Sequence, residues 1–158
     1  MIFTGTYEHA IDSKNRLAVP SEVRVQLQRA AKAGEGDPLP LYVTLGEGGV
    51  LCIYTREGFE KRADELDHSE LNADELLAYE RLLFSLSQRV EIDKQGRIRL
   101  PESLLKRVKL GPEVTLIGVK DHLEVHDRAK WQEYVESILS NQPALLMNPR
   151  RAMRKGGE

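Results

Sequence analysis

The chain is poor in the residue types that build disulfide scaffolds, metal clusters and membrane spans. Its 158 residues include a single cysteine, Cys52, and four histidines. One cysteine excludes a disulfide within the chain, and no apolar run approaches the length of about 20 residues that a membrane-spanning helix needs. The first residues also lack the basic and apolar regions of a secretion signal. We therefore predict a cytoplasmic protein with no membrane segment.

Residue patterns typical of enzymes are also missing. The sequence has no glycine-rich phosphate loop and no nucleophile elbow. His122 and His126 have a metal-like spacing for a helix, but their segment alternates like a strand, and zinc sites use three or four ligands. Cys52 lies between two apolar residues with no histidine nearby in sequence, which favours a structural role. We predict no enzyme activity, no cofactor, no metal and no small-molecule substrate.

Charge is nearly balanced overall but is unevenly distributed along the chain. The formal net charge is −2. Residues 60–80 are strongly acidic, whereas residues 85–108 and the segment 150–155 are rich in Lys and Arg. Phosphate contacts depend on local basic patches rather than on net charge. A nucleic acid therefore stays possible as a partner.

What the sequence does contain is an internal repeat. Residues 9–20, HAIDSKNRLAVP, match residues 90–101, VEIDKQGRIRLP. Asp12 aligns with Asp93 and Arg16 with Arg97, and residues 51–56 later match residues 123–128. Two copies are too few for a solenoid, which requires at least three repeats. They predict a pseudo-twofold unit within one chain.

Each copy has the same predicted order of elements: a strand pair around Asp-x-x-x-Arg, a short helix, a second strand pair and a closing helix. Apolar residues alternate with polar ones on both sides of the motif, which indicates half-buried strands. Asn15 and Gly96 accept positive φ readily, so both motifs permit a tight reversal. Asp12 and Asp93 begin the reversals, where a carboxylate can accept backbone N–H groups.

The duplicated motif gives each hairpin a basic tip. Arg16 and Arg97 can grip phosphate or reach guanine edges in the major groove, which a two-stranded ribbon fits. The neighbouring basic residues that could support these contacts are Lys14, Lys94 and Arg99. In the alternative interpretation Asp12 and Arg16 pair with each other and merely stabilise the hairpin. Both interpretations can hold at once.

With this context, the chain resembles the MraZ family, which looks like a tandem fusion of AbrB-type swapped-hairpin DNA-binding units. The resemblance extends from Met1 to about Ser140 and includes residues 3–7, FTGTY, and residues 16–20, RLAVP. It implies a bacterial transcriptional regulator that binds direct repeats in double-stranded promoter DNA, upstream of the division and cell-wall gene cluster. It also implies a homo-oligomeric ring associated with the nucleoid.

In this family Arg16 and Arg97 match the motif's arginine, and Asp12 and Asp93 match its acid. Lys14 matches a basic position that is usual in the first motif of the family. At the equivalent position the second copy has Gln95, and its lysine, Lys94, comes one residue earlier. Asn15 replaces the usual glycine.

We therefore predict an α+β fold of two pseudo-symmetric swapped-hairpin units with short helices. The first unit covers residues 1–58 and is followed by linking helices at 59–84. The second unit with its closing helix covers 85–140, and a flexible basic tail covers 141–158. The predicted DNA contacts are Lys14, Arg16, Lys94, Arg97 and Arg99. The alternative function is an interaction module that neutralises a toxin, with the tail as its binding segment.

Overall fold

Short strands and helices make up the part of the chain that the computed structural model describes, which is residues 1–34, 36–142 and 144. The strands are β1 (Thr6–Ala10), β2 (Arg16–Ala18), β3 (Pro40–Leu45), β4 (Leu51–Thr55), β5 (Gln88–Glu91), β6 (Arg97–Arg99), β7 (Glu113–Val119) and β8 (His122–Asp127). The α-helices are α1 (Ser21–Ala31), α2 (Arg56–Leu66), α3 (Ala73–Leu86), α4 (Glu102–Leu105) and α5 (Arg128–Asn141). None of the helices in these residues combines the length and apolar character that a bilayer crossing requires.

Contacts within the chain define two compact units. The first, Met1–Asp127, contains every strand, and the second, Arg128–Glu158, begins with α5. Within α5 the rings of Trp131 and Tyr134 lie 5.5 Å apart. The predicted domain boundaries stay a prediction, and most of the predicted tail 141–158 lies outside the described residues.

The strands form two antiparallel sheets in which the copies exchange hairpins. The larger sheet has the order β1-β7-β8-β4-β3-β5, and β2 pairs with β6 in a separate ribbon. β1 of the first copy pairs with β7 of the second, and β5 of the second copy pairs with β3 of the first. This exchange confirms the predicted α+β fold of two swapped-hairpin units.

Two cross-strand pairs mark the pseudo-twofold axis. Leu17 lies opposite Ile98 in the β2–β6 ribbon, and Cys52 lies opposite Glu124 between β4 and β8. Each pair joins equivalent positions of the sequence repeat. In a twofold-symmetric pair of antiparallel strands, equivalent residues lie opposite each other only at the axis. The pseudo-twofold axis therefore passes through both the ribbon and the larger sheet.

The core lies between the ribbon and the larger sheet. Leu17 and Ile98 in the ribbon are fully buried, as are Leu51 and Leu116 in the larger sheet, and all belong to one apolar cluster. Burying each such side chain contributes roughly 1.5–3 kcal/mol relative to exposure. Because strand side chains alternate between faces, Arg16 and Arg97 beside Leu17 and Ile98 must face away from this core.

Local capping signals explain where most helices begin. α1 and α4 follow Pro20 and Pro101, because the missing N–H of proline costs nothing at the start of a helix. Thr55 Oγ1 accepts a hydrogen bond from Gly58 N at 3.0 Å at the start of α2, and Asn72 forms a capping box with Glu75 at the start of α3.

Leu104 and Val108 lie four residues apart, which predicts a second short helix that reaches Val108, but this prediction was wrong. α4 ends at Leu105. Arg107 N donates to Leu104 O at 3.0 Å, so an i→i+3 turn follows the helix in place of a further α-helical turn. Val108 still packs partly buried against the core, although it lies outside the helix.

Candidate nucleic-acid interface

The first Asp-x-x-x-Arg motif forms a tight turn organised by one carboxylate. Asp12 Oδ1 accepts hydrogen bonds from the backbone N–H groups of Lys14 and Arg16, both at 2.9 Å. Asn15 has a φ of 62°, in the left-handed region that asparagine tolerates. The backbone hydrogen bond from Arg16, with further bonds and the charge of its guanidinium, lowers the pKa of Asp12. The carboxylate is therefore ionised at neutral pH.

The second motif reproduces this turn. Asp93 Oδ1 accepts from Gln95 N at 2.8 Å and from Arg97 N at 2.9 Å. Gly96 has a φ of 78°. The backbone hydrogen bond from Arg97 is the largest cause that lowers the pKa of Asp93. Asp93 and Gly96 thus have the same positions in the second turn that Asp12 and Asn15 have in the first.

Each aspartate also holds the side chain of its arginine. Arg16 Nε lies 2.6 Å from Asp12 Oδ2, and Arg97 Nε lies 3.3 Å from Asp93 Oδ2. Among the described residues no other group pairs with either guanidinium, so the two terminal amino groups of each stay available. An arginine held through Nε presents a planar fork of donors that matches carboxylate, phosphate or guanine acceptors.

The ribbon brings three arginines to one face. Arg16 lies directly opposite Arg99, and Ala18 lies directly opposite Arg97. Directly opposite residues share a face, and like charges in such a pair destabilise a sheet. An anion bound between Arg16 and Arg99 would relieve the repulsion between them. The predicted residues Arg16, Arg97 and Arg99 do lie together.

The two predicted lysines lie at opposite ends of the ribbon. Lys14 is exposed in the first turn and Lys94 in the second. The turns are also held by the other copy: Leu100 N donates to Asn15 O, and Val19 N donates to Gly96 O, both at 2.8 Å. Hairpin exchange thus fixes both basic tips relative to the shared ribbon.

Sequence reasoning missed Arg24, which lies against the second turn. Its Nε donates to Val19 O at 3.1 Å, and a Cβ added at Gly96 would lie 2.7 Å from Arg24 Cζ. A side chain at 96 would displace the end of Arg24, and the positive φ at this position independently favours glycine. The available signal was the helix start at Pro20, which places Arg24 one turn into α1.

The structure brings a histidine close to Cys52, although none lies near it in sequence. β4 pairs with β8, so Cys52 faces Glu124, and the ligand atoms of Cys52, His122 and Glu124 lie within 4.8 Å of one another. The pairing joins residues about 70 positions apart in sequence, so local patterns did not predict the cluster. It lies on the larger sheet and takes no part in the ribbon.

These features define a class of protein: a single chain in which two copies of a β unit exchange hairpins and expose an arginine-bearing ribbon. The sequence matches the family model described as "MraZ protein, putative antitoxin-like" over residues 2–80 and 83–147. The chain belongs to the MraZ family.

Individual relatives cover most of the chain. A protein of Clostridium tetani named "Transcriptional regulator MraZ" is 34% identical over 133 residues, which is 84% of this chain and 87% of that protein. A protein of the same name from Clostridium acetobutylicum is 34% identical over 86% of this chain and 89% of its own. A third protein of this name, from Mycoplasma mycoides, is 28% identical over 89% of this chain and 98% of its own length.

Proposed function

We propose that this chain is a transcriptional regulator that binds double-stranded DNA through the β2–β6 ribbon. The observation that carries the proposal is the set of three arginines on the outer face of the ribbon, two of them directly opposite each other. The names of the relatives support a role in transcription. The apolar face of the ribbon is buried, so the charged face is the one that a duplex can approach.

Arg16 and Arg97 make the central contacts in this proposal. Their positions differ by two residues along the ribbon, or about 7 Å, which corresponds to about two base-pair steps. Each guanidinium is held through Nε and offers its two terminal amino groups to guanine O6 and N7 in the major groove. Asp12 and Asp93 position these forks and do not touch DNA.

Phosphate contacts surround the two central arginines. Lys14 and Lys94 extend from the two turns, and Arg99 lies between them on the ribbon. Arg24 adds a guanidinium beside the second turn. Such contacts set position and orientation on the duplex without reading bases.

The proposal is tested with Arg16→Ala, Arg97→Ala and the control Arg56→Ala. Arg56 is a matched control because its Nε also pairs with a carboxylate four residues away, Glu60, at 3.0 Å, but on helix α2. Loss of one bidentate base contact costs roughly 1–3 kcal/mol, so each ribbon variant should weaken specific binding about 5- to 150-fold while Arg56→Ala does not. Gel shifts and circular dichroism are measured on the same samples. Wild-type affinity in a folded Arg16→Ala variant would contradict the proposal.

We further propose that several copies act together, as a ring on direct repeats. One ribbon offers few phosphate contacts, so useful affinity requires linked subunits whose binding is multivalent. Ribbons that read the same side of the duplex need repeats spaced by about one helical turn, or about 10 base pairs. A half-turn insertion between repeats should therefore weaken binding sharply, whereas a full-turn insertion should not. Equal affinity for both DNAs would indicate independent subunits.

Family membership supports a promoter upstream of the division and cell-wall genes as the target, in the cytoplasm at the nucleoid. Footprinting on DNA upstream of the chain's own gene tests whether the protein binds at this promoter. Protection of repeated sites is expected. Uniform cleavage across that DNA would place the target elsewhere.

The family description "antitoxin-like" favours a second candidate, an interaction module that neutralises a toxin. Copurification of a small partner protein with the chain, together with failure to bind promoter fragments, would support this candidate. Binding to promoter fragments by the chain alone would support the regulator.

A further inference from the structure

The larger sheet carries a second cluster of reactive side chains on the face opposite the core. Leu51, Ile53, Leu123 and Val125 point into the core. The residues that alternate with them along β4 and β8 point the other way. These outward residues are Cys52, His122, Glu124 and His126.

Strand register brings these groups close together. Cys52 lies directly opposite Glu124, and His122 and His126 lie two residues on either side of Glu124 along β8. His122 Nε2 is 2.8 Å from Glu124 Oε2, and His126 Nε2 is 2.8 Å from Glu124 Oε1. The cluster is partly shielded, since Cys52 is 3% exposed and the side chains of His122 and Glu124 are 15% and 22% exposed.

Thiolate, imidazole and carboxylate are the three ligand types that zinc prefers. Bond lengths of about 2.0–2.3 Å place the ligand atoms of a tetrahedral zinc ion roughly 3.3–3.8 Å apart. The ligand atoms of Cys52, His122 and Glu124 all lie within 4.8 Å of one another. Small side-chain adjustments therefore suffice to surround an ion.

A supporting carboxylate completes the arrangement. His122 Nδ1 lies 2.7 Å from Asp121 Oδ1. A proton held on Nδ1 by this carboxylate leaves Nε2 as the metal-binding atom, which is the usual support for a histidine ligand. The ring of Tyr54 stacks on His122 with centroids 5.0 Å apart and fixes its plane.

We propose that Cys52, His122 and Glu124 bind a zinc ion. Asp121 orients His122, and water takes the fourth position. The ion joins β4 of the first copy to β8 of the second at the pseudo-twofold axis. It lies across the core from the arginine ribbon, so its role is to stabilise the exchanged fold and not to contact DNA.

The thiolate and not the thiol is the form of cysteine that binds a metal ion. Zinc binding therefore releases the proton of the Cys52 thiol to solvent.

The test uses the full chain without a polyhistidine tag, treated with chelator and titrated with Co²⁺ and then Zn²⁺. One equivalent of Co²⁺ should give thiolate-to-cobalt charge-transfer absorption in the near ultraviolet, and Zn²⁺ should abolish it and raise the melting temperature. Cys52→Ser should remove the absorption. Asp121→Asn should weaken metal binding about 10- to 100-fold without abolishing it.

Two further variants keep the test decisive if Cys52→Ser does not fold. Glu124→Gln should reduce affinity while retaining the thiolate absorption, and His68→Gln, at an exposed histidine on another segment, should bind as wild type does. Absence of one-equivalent binding by the wild type at micromolar metal, or a cobalt complex without thiolate absorption, would overturn the proposal. Equal affinity in Glu124→Gln and wild type would remove Glu124 from the ligand set.

Discussion

Asp12→Asn separates the two roles that the aspartate has in the first turn. Oδ1 accepts two backbone N–H groups and shapes the turn, whereas Oδ2 holds Arg16 Nε at 2.6 Å. An asparagine keeps one oxygen for the backbone but replaces the other with an NH₂ group, which cannot accept from Nε. The turn should persist while Arg16 loses its anchor.

The expected magnitude follows from the freedom that Arg16 regains. Immobilising one long side chain on binding weakens affinity by a factor of about 2 to 13, so specific DNA should bind more weakly by that factor for each ribbon engaged. This loss is smaller than that of Arg16→Ala, because the guanidinium remains. Removal of a negative charge near the phosphates acts in the opposite direction on every DNA sequence. Affinity for non-specific DNA should therefore stay equal or rise.

The assay is fluorescence anisotropy with a promoter fragment and a scrambled fragment of equal length, at one salt concentration. The predicted result is a lower ratio of specific to non-specific affinity in Asp12→Asn. Glu60→Gln is the matched control, because it removes the same charge from the Arg56 pair on α2 and should leave the ratio unchanged. If Asp12→Asn and Glu60→Gln have the same ratio as the wild type, Asp12 shapes the turn without positioning Arg16.

Three other predictions concern charge, packing and pH. Arg99→Ala should reduce the slope of log affinity against log salt by about 0.9, and a salt titration that gives the wild-type slope would place Arg99 away from phosphate. Gly118→Ala should lower the free energy of unfolding by roughly 1–3 kcal/mol, because a Cβ there would collide with the N-terminal backbone. Urea unfolding measures this loss, with Gly34→Ala as the control because a Cβ at position 34 has more space. Because backbone hydrogen bonds from Arg16 and Arg97 hold the pKa values of Asp12 and Asp93 below the usual aspartate range, the stabilisation from the turns is complete above that range. It is lost as pH falls through the lower folded pKa values. The double Asp→Asn variant should therefore show a shallower acid unfolding curve, and a curve of wild-type steepness would contradict this.

Local patterns were sufficient to predict the turns, the strands beside them and the faces of those strands. Asp12 and Asn15 indicated a tight reversal because their preferences act within a few residues. The alternation around Leu17 and Ile98 identified the buried face, since a strand's side chains repeat every two positions. The repeat itself predicted pseudo-symmetry. These features depend on short-range sterics and on burial, which the order of residues along the chain expresses directly.

Tertiary structure alone decided which residues of the two copies meet. The register that places Arg16 opposite Arg99, and Cys52 opposite Glu124, results from pairing between distant strands. The contact of Arg24 with Gly96 depends on how α1 packs over the second turn. Such pairings are selected by the packing of the whole core, so no local pattern of residues specifies them. The sequence by itself therefore determined the two hairpins and their charged tips, and the exchange of strands determined the shared arginine face and the cysteine–histidine–glutamate cluster.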